Sequence, residues 1–127
     1  PTMMRTGMGI EQGDILLVPV PFTDLSSQKR RPVIVLSYDN YNRTSADVVV
    51  VALTSNPAQV PFSFILTSSD LIHGSLNRPS TVRVDKIYTL AQAIIVNKFG
   101  KISPKIVNQI RQLLDAVTLP TSSAATP

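Results

Sequence analysis

Three consecutive cations, Lys29, Arg30 and Arg31, end a polar loop that joins two apolar runs, 15–20 and 33–36. Arg31 stands directly before Pro32 at the foot of the second run. An arginine fork offers five N–H donors and stays protonated, so it can hold a phosphodiester. It can also bind more tightly as charge grows on the phosphoryl oxygens during in-line attack. On pattern alone, a surface arginine capping a strand competes equally with that use. Thr54 ends the most apolar run of the chain, in Ala52-Leu53-Thr54-Ser55-Asn56-Pro57. A hydroxyl at the mouth of a buried strand can donate to a phosphate, although a Thr/Ser turn into Pro57 is its more ordinary role.

Other chemistries lack their residues. His73 is the single histidine and there is no cysteine. A histidine-pair ribonuclease site within one chain, a multi-histidine zinc site, a thiolate site and a cysteine nucleophile are therefore excluded. No glycine-rich loop runs into Lys-Ser or Lys-Thr, which argues against nucleotide hydrolysis. The eight carboxylates are scattered, with no spacing that marks a metal or glycosidase pair. Asp14 after Gly13 is expected to shape a turn, Asp85 to pair with Lys86 or Arg83, and His73 to lie on a loop surface.

These side chains need a scaffold. The 127 residues make one domain, expected over 10–119, with 1–9 and 120–127 as flexible tails. The net charge of +4 is modest, but its concentration in the 29–31 loop favours a polyanionic partner. The apolar runs are too short to span a membrane and no signal peptide is evident, so a cytoplasmic protein is expected. Val- and Ile-rich runs predict strands at 14–20, 32–37, 47–54, 60–67 and 80–84, with extended structure at 86–96. Residues 48–53 are apolar on both faces, as in a central strand. Residues 40–45 and 68–77 read as loops, and the prolines as strand ends or edges. A helix begins at Ser103 as N-cap with Pro104 in its first turn. Its stripe of Ile106, Val107, Ile110, Leu113, Leu114 and Val117 should pack on the sheet or on a second copy.

From Glu11 to Leu119 the chain resembles the MazF/PemK family of toxin endoribonucleases. The resemblance rests on Gly13-Asp14 with its strand, the 22–31 loop, Arg31-Pro32-Val33-Ile34-Val35-Leu36-Ser37, Val50-Val51-Ala52-Leu53-Thr54, Pro61-Phe62, the run from Ser80 to Ile87 and the C-terminal helix. It implies a small SH3-like β-barrel with a C-terminal helix, a homodimer, and a cofactor-free, metal-independent enzyme that cuts single-stranded RNA at short sequences and is inhibited by a cognate antitoxin. It places Arg31 and Thr54 at the catalytic positions. Attack by the RNA's own 2′-hydroxyl would leave a 2′,3′-cyclic phosphate and a 5′-hydroxyl. Ser26, Ser27, Gln28, Lys29, Arg30, Asp85 and Lys86 become candidate RNA contacts, and Tyr38, Tyr41 and Phe22 candidate stacking partners for bases. The chain departs from the family in the loop, which lacks the Gly-Gly of some members. It departs again at Asp85-Lys86, where Asp-Gln is common. Two other readings stay open: a gyrase-poisoning toxin of the same barrel, which needs neither Arg31 nor Thr54, and a non-catalytic SH3-like binding module.

Overall fold

The structure, a computed structural model, describes residues 9–20, 29–56 and 60–121. The expectations for Phe22, for Ser26, Ser27 and Gln28, and for most of both tails lie outside those residues. Seven strands form one antiparallel sheet: β1 (Asp14–Pro19), β2 (Arg30–Val35), β3 (Asp47–Thr54), β4 (Ser63–Leu66), β5 (Leu71–Gly74), β6 (Ser80–Ala91) and β7 (Asn97–Ile102). Their order across the sheet is β4-β6-β3-β2-β1-β7-β5, so β3 and β2 lie near its centre. A short helix α1 (Asp39–Thr44) links β2 to β3, and α2 (Pro104–Val117) follows β7. The sheet curls into a half-barrel, as expected of the SH3-like class.

Alternation along the strands divides the apolar residues between two faces. Ile15, Ile34, Val51, Leu53, Val82 and Val84 pack beneath Ile106 and Ile110 of α2. Leu16, Val18, Val33, Val35, Val48, Val50 and Leu90 form a second cluster on the opposite face with Ile10 and Ile95. This two-sided burial is why 48–53 carries no polar residue. On β4, Phe64 and Leu66 turn to the core while Ile65 is exposed, which matches the alternation in the sequence.

The helix α2 starts as expected. Ser103 Oγ accepts from the Ile106 N–H at 3.4 Å, and Pro104 occupies the first turn. Its stripe packs on the sheet, with Ile106 and Ile110 buried and Val107, Leu113 and Leu114 against them. Val117 is only half-buried at the last turn.

Several expectations need correction. Residues 40–45 are largely helix α1: Asn42 is buried, its side-chain amide donates to the Ser37 carbonyl, and Ser37 Oγ donates to Asn42 Oδ1. Polar residues read as a loop here because the bonds that hold the helix reach outside it, to Ser37 and Gln92. The 68–77 segment contains a 3-10 turn and strand β5, so His73 is an exposed strand residue and not a loop residue. Gly74 can pair there because it has no side chain: at φ +80°, a Cβ would meet the Phe99 carbonyl oxygen at 2.3 Å. Strand β7 was not foreseen, since its Lys98 and Lys101 interrupt the apolar pattern. Both lysines pair with the buried Asp14, which also accepts from the Glu11 N–H and so shapes the expected turn. Pro32 lies inside β2, where that strand still pairs with β1; the β2–β3 ladder begins one residue later, at Val33. Among the described residues, no helix is long and apolar enough to cross a membrane.

Ile110 lies at the centre of the contact between helix and sheet. Ile110→Ala is expected to lower the unfolding free energy by about 2–5 kcal/mol, read from the urea midpoint. Lys105→Ala on the exposed face of α2 should stay within about 0.5 kcal/mol of the parent.

Candidate active-site cleft

The β2–β3 register pairs Val33 with Ala52, Ile34 with Val51 and Val35 with Val50. Extended by one side-chain period, it sets Arg31 opposite Thr54, on the same face as Val33 and Ala52. On the other side of Arg31, β1 presents Val18. The β2–β3 ladder ends at Val33, and a cleft of about 290 Å³ opens beyond it. Arg31 and Thr54 both line it, over a floor of Val33, Ala52 and Leu53. Among the described residues, Arg31 has no carboxylate partner. The Asn56 N–H donates to Thr54 Oγ1 at 3.1 Å, which leaves the hydroxyl hydrogen to be donated elsewhere.

The far wall comes from β6, through a break in its ladder. Val51 pairs with Ile87, but the next residue, Ala52, pairs with Arg83. Val84, Asp85 and Lys86 therefore bulge out of the β3 ladder. The Val84 N–H is taken up at 3.0 Å by the carbonyl of Phe62, which holds the left-handed φ of +60° in the turn before β4. A bulky residue in that region is a true outlier, held there by its surroundings. An odd insertion reverses which side chains face the cleft. Arg83 faces it before the bulge and Tyr88 after it, with Lys86 reaching it from the bulge itself.

Of the residues expected from sequence, the structure brings Arg31, Thr54 and Lys86 to one cleft. Asp85 stays outside the lining and instead forms a two-point ion pair with Arg83, Nε and Nη2 donating at 2.9 and 2.8 Å. Lys29 and Arg30 are exposed at the start of β2, where alternation turns Arg30 away from Arg31. Tyr38 is exposed on the N-terminal side of α1 and Tyr41 is half-buried within it; neither lines the cleft. Sequence reasoning singled out none of Arg83, Asn56 and Tyr88 as cleft residues; Arg83 is expected there only as a partner for Asp85, and that pair is present. Alternation counted from either end of β6 would have placed only half of that strand correctly.

The cleft is cationic. Arg31, Arg83 and Lys86 line it, and among the described residues no carboxylate does. The arrangement offers a phosphodiester the guanidinium of Arg31 and the hydroxyl of Thr54, with Arg83 and Lys86 on the far wall.

Comparison with known proteins adds an independent line. Residues 11–118 match the family model described as PemK-like, MazF-like toxin of type II toxin–antitoxin system. The chain is 31% identical over 84 residues to Endoribonuclease MazF1 of Mycobacterium bovis, covering 66% of this chain and 74% of that one. The same figures hold for Endoribonuclease MazF4 of Mycobacterium tuberculosis. Among solved structures it is similar to a mycobacterial endoribonuclease in complex with its cognate antitoxin, with a TM-score of 0.70, 25% identity, and 87% and 97% of the two chains covered. The fold is shared with a MazE-MazF structure from Deinococcus radiodurans, at a TM-score of 0.67, 18% identity, and 85% and 93% coverage.

The Arg83 fork holds the Asp85 carboxyl below its usual value of 3.8. Because the folded value is the lower one, the pair contributes stability above the unfolded carboxylate range and loses it as pH falls through the depressed folded value. The pair is thus fully formed at neutral pH. A carboxyl-carbon NMR titration should give Asp85 a midpoint below 3.8, and Arg83→Gln should return it toward that value.

Proposed function

The chain belongs to the PemK-like, MazF-like toxins of type II toxin–antitoxin systems, and from that membership we propose that it is a sequence-specific endoribonuclease acting on single-stranded RNA. The observation that carries this reading is the meeting of Arg31 and Thr54, from adjacent strands, in one cationic cleft. RNA brings its own nucleophile, so the protein has only to bind and polarise the phosphate. The 2′-oxygen attacks phosphorus, the bond from phosphorus to the 5′-oxygen breaks, and a proton passes from the 2′-hydroxyl side to the leaving oxygen. The products are a 2′,3′-cyclic phosphate and a 5′-hydroxyl. Arg31 donates to the phosphoryl oxygens as their charge grows, an interaction stronger in the transition state than in the ground state. Thr54 donates to the same phosphate or orients the 2′-hydroxyl.

Lys86 contacts the RNA from the bulge. Lys29 and Arg30 meet flanking phosphates outside the cleft, as contacts that position the strand without reading its sequence. Ser26, Ser27 and Gln28 complete the RNA contacts in this reading, with Asp85 beside Lys86. The protein works as a homodimer in the cytoplasm, and a cognate antitoxin covers the cleft to silence it. The solved neighbour with its cognate antitoxin and the MazE-MazF neighbour support that partner class.

The test is incubation with a long single-stranded RNA in EDTA, beside a DNA of matching sequence. Discrete RNA fragments with 5′-hydroxyl ends and intact DNA are expected. Arg31→Ala should lower the rate by roughly 10²-fold or more, and Thr54→Val should lower it as well, with both variants folded. Undiminished cleavage by folded Arg31→Ala would overturn the assignment. No cleavage by a folded protein that still binds RNA would favour the binding-module reading.

A further inference from the structure

We propose that Arg83 is a second phosphate-binding residue of the cleft, one that holds the phosphate next to the one at Arg31, and that Asp85 is the positioning residue that aims it. The proposal rests on the nucleic-acid reading above and assigns the far wall of the same cleft.

Three observations carry it. First, Arg83 lies directly opposite Ala52 on β6, while Arg31 projects from β2 on the other side of β3. Neighbouring strands stand about 4.8 Å apart, so the two arginines flank a floor about 10 Å wide. That separation suits successive phosphates of an extended strand better than two grips on one phosphate. Second, Asp85 engages only Nε and one Nη2 hydrogen of Arg83. The Nη1 hydrogens and the second Nη2 hydrogen remain along the outer edge of the fork, the geometry that takes a phosphate by two parallel bonds. Third, the pair is held by the bulge. Asp85 is two residues from Arg83, and both sit where Phe62 fixes the departure of β6 from the ladder. A long side chain that would otherwise sample many rotamers is thus oriented before the ligand arrives, which lowers the entropy cost of binding.

Asp85 gives the proposal its sharpest test, because charge and orientation predict opposite signs. As a mere counter-charge, its removal would strengthen polyanion binding; as a positioning residue, its removal weakens binding although the net charge rises. The experiment measures binding of a mixed-sequence single-stranded deoxyoligonucleotide by fluorescence anisotropy over a series of salt concentrations. Steady-state cleavage of single-stranded RNA is followed in parallel. Arg83→Gln should weaken binding about 10-fold, from the loss of a charge-assisted contact. It should also make the log–log salt slope shallower by about 0.7. KM should rise and kcat change little. Arg83→Lys should keep the salt slope and lose affinity. Asp85→Asn should weaken binding, and Asp85→Glu should recover part of it.

Unchanged affinity and slope in folded Arg83→Gln, with wild-type protein that cleaves RNA, overturn this inference alone. A shift in cut-site preference with an unchanged slope overturns it in favour of a base contact. Tighter binding by Asp85→Asn overturns the positioning role. If wild-type protein binds the oligonucleotide without cutting RNA, and Arg83→Gln loses affinity and slope, the ribonuclease reading fails while the phosphate site stands. If wild-type protein binds no polyanion, both fail.

Discussion

The register between β2 and β3 is the constraint on which the rest of the cleft depends. A slip of one residue would carry every side chain of a strand to the opposite face. Here the slip is blocked from both sides of the sheet. Val33 and Val35 are buried in one core cluster, and Ile34 is buried in the other, under α2. A one-residue slip would drive Arg31 toward the core under α2 and exchange the valines with Ile34. The polar chemistry at the end of the ladder is positioned by apolar residues that never touch a ligand.

Burial on both faces also explains how a small chain can hold a rigid cleft. The helix α2 supplies the cover for one face, and Ile10, Ile94 and Ile95 pack against the other. The sheet's central strands are therefore short of polar side chains, and the charged residues are pushed to strand ends, bulges and edges. Asp14 is the buried exception. It is kept in place by two lysines and the Glu11 N–H, while burial pushes its carboxyl up from the usual range.

Much of this was legible in the sequence, for local reasons. The runs at 14–20 and 47–54 and the capped helix after Ser103 carry their patterns within a few residues, and so does the pairing of Arg31 with Pro32. Arg31 stood out at the foot of one apolar run and Thr54 at the end of another, and the resemblance to the MazF/PemK family made both catalytic candidates. What stayed hidden depends on contacts between distant segments. Helix α1 rests on Ser37 and Asn42 bonding each other, and on Gln92, fifty residues on, donating to the Asn42 carbonyl. Strand β5 exists because β7 offers it an edge, not because 71–74 looks extended. Arg83 was legible as a partner for Asp85 but not as a cleft residue, because its face is set by the bulge, and nothing in the alternation of 80–91 says where three residues leave the ladder. The sequence did break near 85, between two expected strands; the structure makes them one strand with a discontinuity there.

That discontinuity separates inheritance of the fold from inheritance of the cleft wall. The pairs from Thr81 to Arg83 and those from Ile87 to Ala91 are each secured by their own ladder, so a residue gained or lost between them changes the bulge and leaves both registers in place. Variation confined to Asp85 and Lys86, the two exposed residues of the bulge, can therefore change the cationic wall at little cost to the fold, whereas Val84 is fixed by its burial under α2. The bulge residue least bound by packing, Lys86, is thus also the one that lines the cleft.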